Sequence, residues 1–85
     1  MSRIIDGVHM NIVGKNIRKF RRKNKMSQQE LSNKLETMAI YVCRGSISRI
    51  EDLSRTVTDI ELYGFSQALK VPIEAIYDYS LIENI

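Results

Sequence analysis

Ser27-Gln28-Gln29-Glu30-Leu31-Ser32-Asn33-Lys34-Leu35, followed after a gap by Arg44-Gly45-Ser46-Ile47-Ser48-Arg49-Ile50, decides how this chain folds. Ser27 and Glu30 make a Ser-x-x-Glu capping box, which satisfies two of the bare amides at a helix start. The helix that begins there turns Leu31 and Leu35 inward. A further helix over about 44–52 leads with Arg and Ser and carries Ile47 and Ile50 further along. Polar and cationic tips ahead of an apolar anchor suit a DNA major groove. The first turn reaches base edges there while the apolar side stays docked on the protein.

The flanks read as helices too. From Asn11 to Lys25, Val13, Ile17 and Phe20 recur at i, i+4 and i+7, one helical face, with Lys15, Arg18, Lys19, Arg22 and Lys23 around the rest. A polar turn, Leu53-Ser54-Arg55-Thr56, leads to Thr58, which forms a second capping box with Glu61 and opens a helix that packs Leu62, Phe65 and Leu69. Pro72 suits the first turn of a fifth, with Ile73, Ile76 and Tyr77 inward. Residues 37–43 are apolar but lack a helical period, and seven residues without a partner strand make a marginal sheet. They are expected to form an ordered, partly buried connection. The chain thus reads as an N-terminal arm over 1–10, a compact all-α domain of five short helices over 11–80, and a tail over 81–85.

Charge is unevenly spread. Residues 1–55 hold 12 of the 13 Lys and Arg against five acids, and residues 56–85 hold Lys70 against five acids, giving halves near +7 and −4. A polyanion-binding face backed by an acidic one has this asymmetry, although a charge run is also an ordinary solvated face. With 85 residues there is room for one small core but not for an extensive active site. The single cysteine excludes an internal disulfide, and without a signal peptide it points to a reducing cytoplasm. No apolar run approaches the roughly 20 residues that span a bilayer.

In their order, Ile17-Arg18-Lys19-Phe20-Arg21, Ser27-Gln28-Gln29-Glu30-Leu31, Ser46-Ile47-Ser48-Arg49-Ile50-Glu51, Glu61-Leu62 and Ala68-Leu69-Lys70-Val71-Pro72-Ile73 resemble the Cro/repressor-type (XRE-family) helix-turn-helix over about residues 12–79. The resemblance implies a five-helix, lambda-repressor-like fold that binds operator DNA as a dimer and regulates transcription. Three features depart from the family pattern. Eleven residues separate Leu35 from Ile47, a longer turn than is usual between helices two and three. Ala39 and Leu53 stand where glycine is favoured, and at a positive φ each costs on the order of 1 kcal/mol.

Arg44 and Arg49 lie on the third helix, roughly 140° apart at 3.6 residues per turn. Each is a candidate to fork onto guanine O6 and N7. Ser46 is expected to touch a base or phosphate, and Gly45 to let the backbone approach the DNA. Ser27 and Gln28 open helix two, whose bare amides favour an anion, and in the family the matching Gln bonds phosphate and braces the recognition helix. Ser54 and Arg55 follow helix three and face its far phosphates, which fix register rather than sequence. Arg21 lies near the Ile17/Phe20 face, and the resemblance pairs it with Glu51. Cys43 falls at the N-cap of helix three, where a thiolate is stabilised, and is read as a small apolar residue rather than a switch.

No metal-ligand spacing, phosphate-cradling glycine loop or nucleophile with a nearby base is visible, so neither a cofactor nor an enzyme is expected. The expected partner is double-stranded operator DNA with an inverted repeat, bound by a homodimer that pairs through helix five and the apolar tail Tyr77, Tyr79, Leu81, Ile82 and Ile85. The competing reading is a protein-interaction module, antitoxin-like or an adaptor, whose basic half meets an acidic partner. Membrane binding through helix one is disfavoured, since its few apolar residues are needed for the core.

Overall fold

The computed structural model describes residues 9–77. Over them the chain is all-helical: α1 (Gly14–Lys23), α2 (Gln28–Glu36), α3 (Arg44–Glu51), α4 (Asp59–Leu69) and α5 (Ile73–Ile76). Both capping boxes form. Ser27 Oγ accepts from Glu30 N at 3.0 Å and Glu30 Oε1 from Ser27 N at 2.8 Å, with the same exchange between Thr58 and Glu61. Among the described residues there is no helix long and apolar enough to cross a membrane.

One core joins all five helices. Val13 and Ile17 of the first helical face, Leu31 and Leu35 of α2, Ile47 and Ile50 of α3, and Phe65 and Leu69 of α4 are buried together with Ile76. Each such side chain, fully buried, stabilises by about 1.5–3 kcal/mol. The α2–α3 connection joins this core through buried Val42 and half-buried Ile40. The α5 expectation is corrected. Ile76 is buried, whereas Ile73 and Tyr77 are 37% and 44% exposed, because a helix of four residues has one inward position. Leu53, placed in a polar turn by the sequence, is buried at 3%. The tail residues Tyr79, Leu81, Ile82 and Ile85 lie outside the described residues.

Four helices end in the same backbone device. Among the described residues, Lys25, Ala39, Leu53 and Lys70 are the non-glycine residues at positive φ, 55°, 59°, 66° and 58° respectively. Each sits just past a helix, where its amide and the next one turn back onto the last turn's carbonyls. After α3, Leu53 N reaches Ile50 O at 3.0 Å and Ser54 N reaches Arg49 O at 2.9 Å. This Schellman closure normally takes glycine because a Cβ is crowded there. Ala39 is exposed and gains nothing from its methyl, whereas Leu53 recovers the cost by burial.

That contrast sets the first test. Ala39→Gly is expected to stabilise by up to about 1 kcal/mol, raising the melting midpoint by a few degrees, at most about 8 °C. Leu53→Gly is expected to lower the midpoint, since a buried leucine contributes more than the φ relief returns. Thermal melts followed by circular dichroism compare the two directly.

Candidate nucleic-acid interface

The helix proposed to read DNA is α3, and its position is fixed from behind. Ile47 and Ile50 are fully buried. Glu51, 2% exposed at the end of α3, takes two hydrogen bonds from Arg21 of α1: Nε to Oε2 at 2.7 Å and Nη2 to Oε1 at 3.0 Å. Arg21 also donates through Nη1 to Met26 O at 2.8 Å. Gln28 Nε2 adds a third donor to the carboxylate, onto Oε1 at 3.1 Å. The ion pair expected between Arg21 and Glu51 is therefore present, buried and bidentate. Gln28 is found on the same carboxylate, bracing α3 from the head of α2.

A second clamp was not foreseen. Asn11 Oδ1 accepts from Val13 N at 3.0 Å and Gly14 N at 2.7 Å, capping the start of α1. Its Nδ2 donates to Ile50 O at 3.0 Å and Arg55 O at 2.8 Å, closing the end of α3. The two helices are so close here that a Cβ on Gly14 would lie 2.0 Å from Ile50 O. Asn11 heads the periodic run but stands two residues before the N-cap, Val13, so no capping pattern in the sequence marks it. Nor did the sequence show the partner, 39 residues away.

The outward side of α3 differs. Arg44, Gly45 and Arg49 are exposed and Ser46 is half-buried. Arg49 Nη2 donates to Ser46 Oγ at 3.2 Å, one turn back along the helix. The Cys43 thiol lies 3.4 Å from the same hydroxyl, and that hydrogen bond holds its pKa below the ordinary value. Cys43 is exposed. It provides no side-chain cap, so α3 starts without one, in contrast to α2 and α4.

The remaining expected contacts have duties inside the fold. Ser27 caps α2, and Ser54 Oγ donates to Arg49 O at 3.2 Å behind the end of α3. Arg55 does not stand free in solvent. Its Nη1 and Nη2 fork onto Glu61 at 3.0 and 2.9 Å, and Nη1 also reaches Thr56 O at 2.9 Å. This bond holds the Glu61 carboxyl below the usual carboxylate range and raises Arg55. The sequence showed Glu61 as a capping residue and missed its second role. Among the described residues no group of three or more His, Cys, Asp or Glu side chains is placed to hold a metal ion.

No family model matches the chain, and no curated protein or solved structure matches it.

Glu51→Ala is expected to cost about 3–5 kcal/mol, since it strands the buried guanidinium of Arg21. Gly14→Ala is expected to be comparably damaging, because a methyl group cannot share space with the Ile50 carbonyl. Urea titration of both variants against the parent chain measures this. An unchanged midpoint for Glu51→Ala places the Arg21 charge in solvent.

Proposed function

We propose that the chain is a sequence-specific, double-stranded DNA-binding transcriptional regulator of the Cro/repressor type, with a lambda-repressor-like arrangement of its five helices, acting as a repressor and reading the major groove with α3. The observation that carries this is the asymmetry of α3. Its back is fixed by Ile47, Ile50 and the Arg21–Glu51–Gln28 cluster, and its front offers Arg44, Gly45 and Arg49 to solvent. A reading helix needs both properties: a fixed frame, and donors not already committed to the protein.

Gly45 adds support. Glycine inside a helix costs roughly 0.5–1 kcal/mol relative to alanine. Nothing in the fold demands it, because a Cβ there would meet only Arg49 Nη1, at 3.7 Å. The missing side chain is therefore useful outward, where an approaching DNA backbone or base edge benefits from it. Charge agrees, with the basic excess of residues 1–55 concentrated in the part of the chain that holds α1 to α3.

One helix covers about one groove face, so two copies on an inverted repeat, with recognition helices roughly 34 Å apart, are the natural unit. Ile73 and Tyr77, partly exposed at α5, are available for that pairing. The protein-interaction alternative rests on the same basic half meeting an acidic partner, and Ile60 and Tyr63, 65% and 54% exposed on α4, add an apolar surface to it.

Affinity for a duplex selected from random sequence, and for a scrambled one, at several salt concentrations tests the proposal. Arg44→Ala and Arg49→Ala are each expected to lose about 1–3 kcal/mol per half-site on the selected duplex and to relax preference at one base position. Arg55→Ala is expected to act through the fold instead, lowering the melting midpoint because it unpairs Glu61. Gly45→Ala is expected to melt higher yet bind less tightly. If Arg44→Ala and Arg49→Ala weaken both duplexes equally, α3 is not the reader. A chain that sediments as a monomer, both free and on its selected duplex, overturns the dimer.

A further inference from the structure

The α2–α3 connection has a feature that its length alone does not explain. Ala39 at positive φ closes α2, and Ile40 then folds back so that its Cδ1 lies against Gly64 of α4. Val42 is buried at 3%, and its carbonyl takes a hydrogen bond from Ser32 Oγ at 2.7 Å. Between these two anchors Tyr41 points the other way and is 76% exposed. With Ile40 packed against Gly64 and the Val42 carbonyl bonded to Ser32, the backbone between them is anchored on both sides of Tyr41. Tyr41 is thus held in place by its neighbours although its own ring is in solvent.

Its surroundings show what the ring faces. Tyr41 shares a cleft of about 320 Å³ with Ser32, Glu36, Val42, Cys43 and Ser46. Cys43 is the N-cap of α3 and Ser46 lies in its first turn, so the cleft opens beside the leading end of the proposed reading helix. Arg44 follows Cys43 directly and Arg49 reaches Ser46 Oγ at 3.2 Å, which sets two cationic side chains at this end against Glu36 on the cleft wall. The net cationic setting matches a polyanion.

We propose that Tyr41 is a DNA-contacting residue, its hydroxyl donating to a backbone phosphate beside the groove that α3 enters and its ring lying along the adjoining sugar. This rests on the reading of α3 as the groove helix. Tyrosine is among the side chains that bond phosphate oxygens. A rigid ring on a fixed backbone also spends little conformational freedom on binding, unlike a lysine at the same place. The longer connection then has a use. It carries a neutral donor past the end of α3, to a phosphate that the helix's own side chains do not reach.

Binding of the full-length chain to the duplex selected by the parent protein from random sequence tests this, with melting midpoints taken in parallel. Tyr41→Phe is expected to weaken binding about tenfold, as for loss of a hydrogen bond to a charged acceptor, and Tyr41→Ala somewhat more. The salt slope should stay unchanged, because a neutral donor releases no counterion. The melting midpoint should stay within a degree or so of the parent, because the ring is exposed. Full affinity in Tyr41→Phe overturns the phosphate contact, whatever Tyr41→Ala does. A loss that tracks a lowered melting midpoint overturns it as well. Arg44→Ala is measured alongside: if it loses affinity while Tyr41→Phe does not, this inference fails and the α3 reading stands. If no variant loses affinity, the α3 reading fails first.

Discussion

The buried contact between Arg21 and Glu51 holds the frame on which everything else depends. Taking two charges out of water is expensive, and attraction between them offsets that cost only when every remaining donor and acceptor is also satisfied. Here the condition is met closely. Glu51 receives Arg21 through both oxygens and Gln28 through one, and Arg21 spends a further N–H on Met26 O. The arrangement stabilises less than its appearance suggests, because an apolar substitute of equal volume is often as stable. Its consequence is geometric: α1, the head of α2 and the end of α3 are joined through one carboxylate.

Asn11 does for the other edge of α3 what Glu51 does for its core side. One amide side chain satisfies two amides at the start of α1, one carbonyl at the end of α3 and one in the segment that follows it. The close approach at Gly14 makes this possible, since any side chain there would push the helices apart. Arg55 is drawn into the same region, its carbonyl on Asn11 and its guanidinium on Glu61. The segment after α3 is therefore fixed at both main chain and side chain, and buried Leu53 supplies the apolar part.

The helices were legible because their signals are local. Two capping boxes and the apolar spacing at Ile17, Leu31, Leu35, Ile47 and Ile50 each lie within a few residues, and all five side chains are buried. The α3 front was legible for the same reason, since exposure there follows from helical periodicity. What failed was non-local or overruled local preference. Glu61 looked like a cap and Asn11 like the head of a helical run, and the distant partners of both are set by folding. Leu53 looked like turn because its neighbours are polar, yet the chain reversal drives it inward. Ile73 and Tyr77 looked inward from their apolar spacing, and the shortness of α5 leaves room only for Ile76. Positive φ at Lys25 and Lys70 left no trace, since nothing about lysine announces it.

The arginines of this small domain divide by what they do in the free protein. Arg21 and Arg55 have their forks filled by carboxylates, and moving either means unpairing a carboxylate that is itself largely shielded from solvent. Arg49 is held only by a neutral hydroxyl one turn back, and Arg44 stands exposed at the first position of α3. A hydroxyl is a weak competitor for a guanidinium compared with guanine or phosphate, which accept in the bidentate geometry the fork requires. Yet the Ser46 contact already restricts a side chain whose ordering otherwise costs about 1.5–2 kcal/mol. Arg49 is thus partly ordered and still exchangeable, while the charges behind it are not exchangeable at all. A surface that must be rigid toward its own protein and open toward a partner requires this separation, and α3 makes it across the width of a single helix.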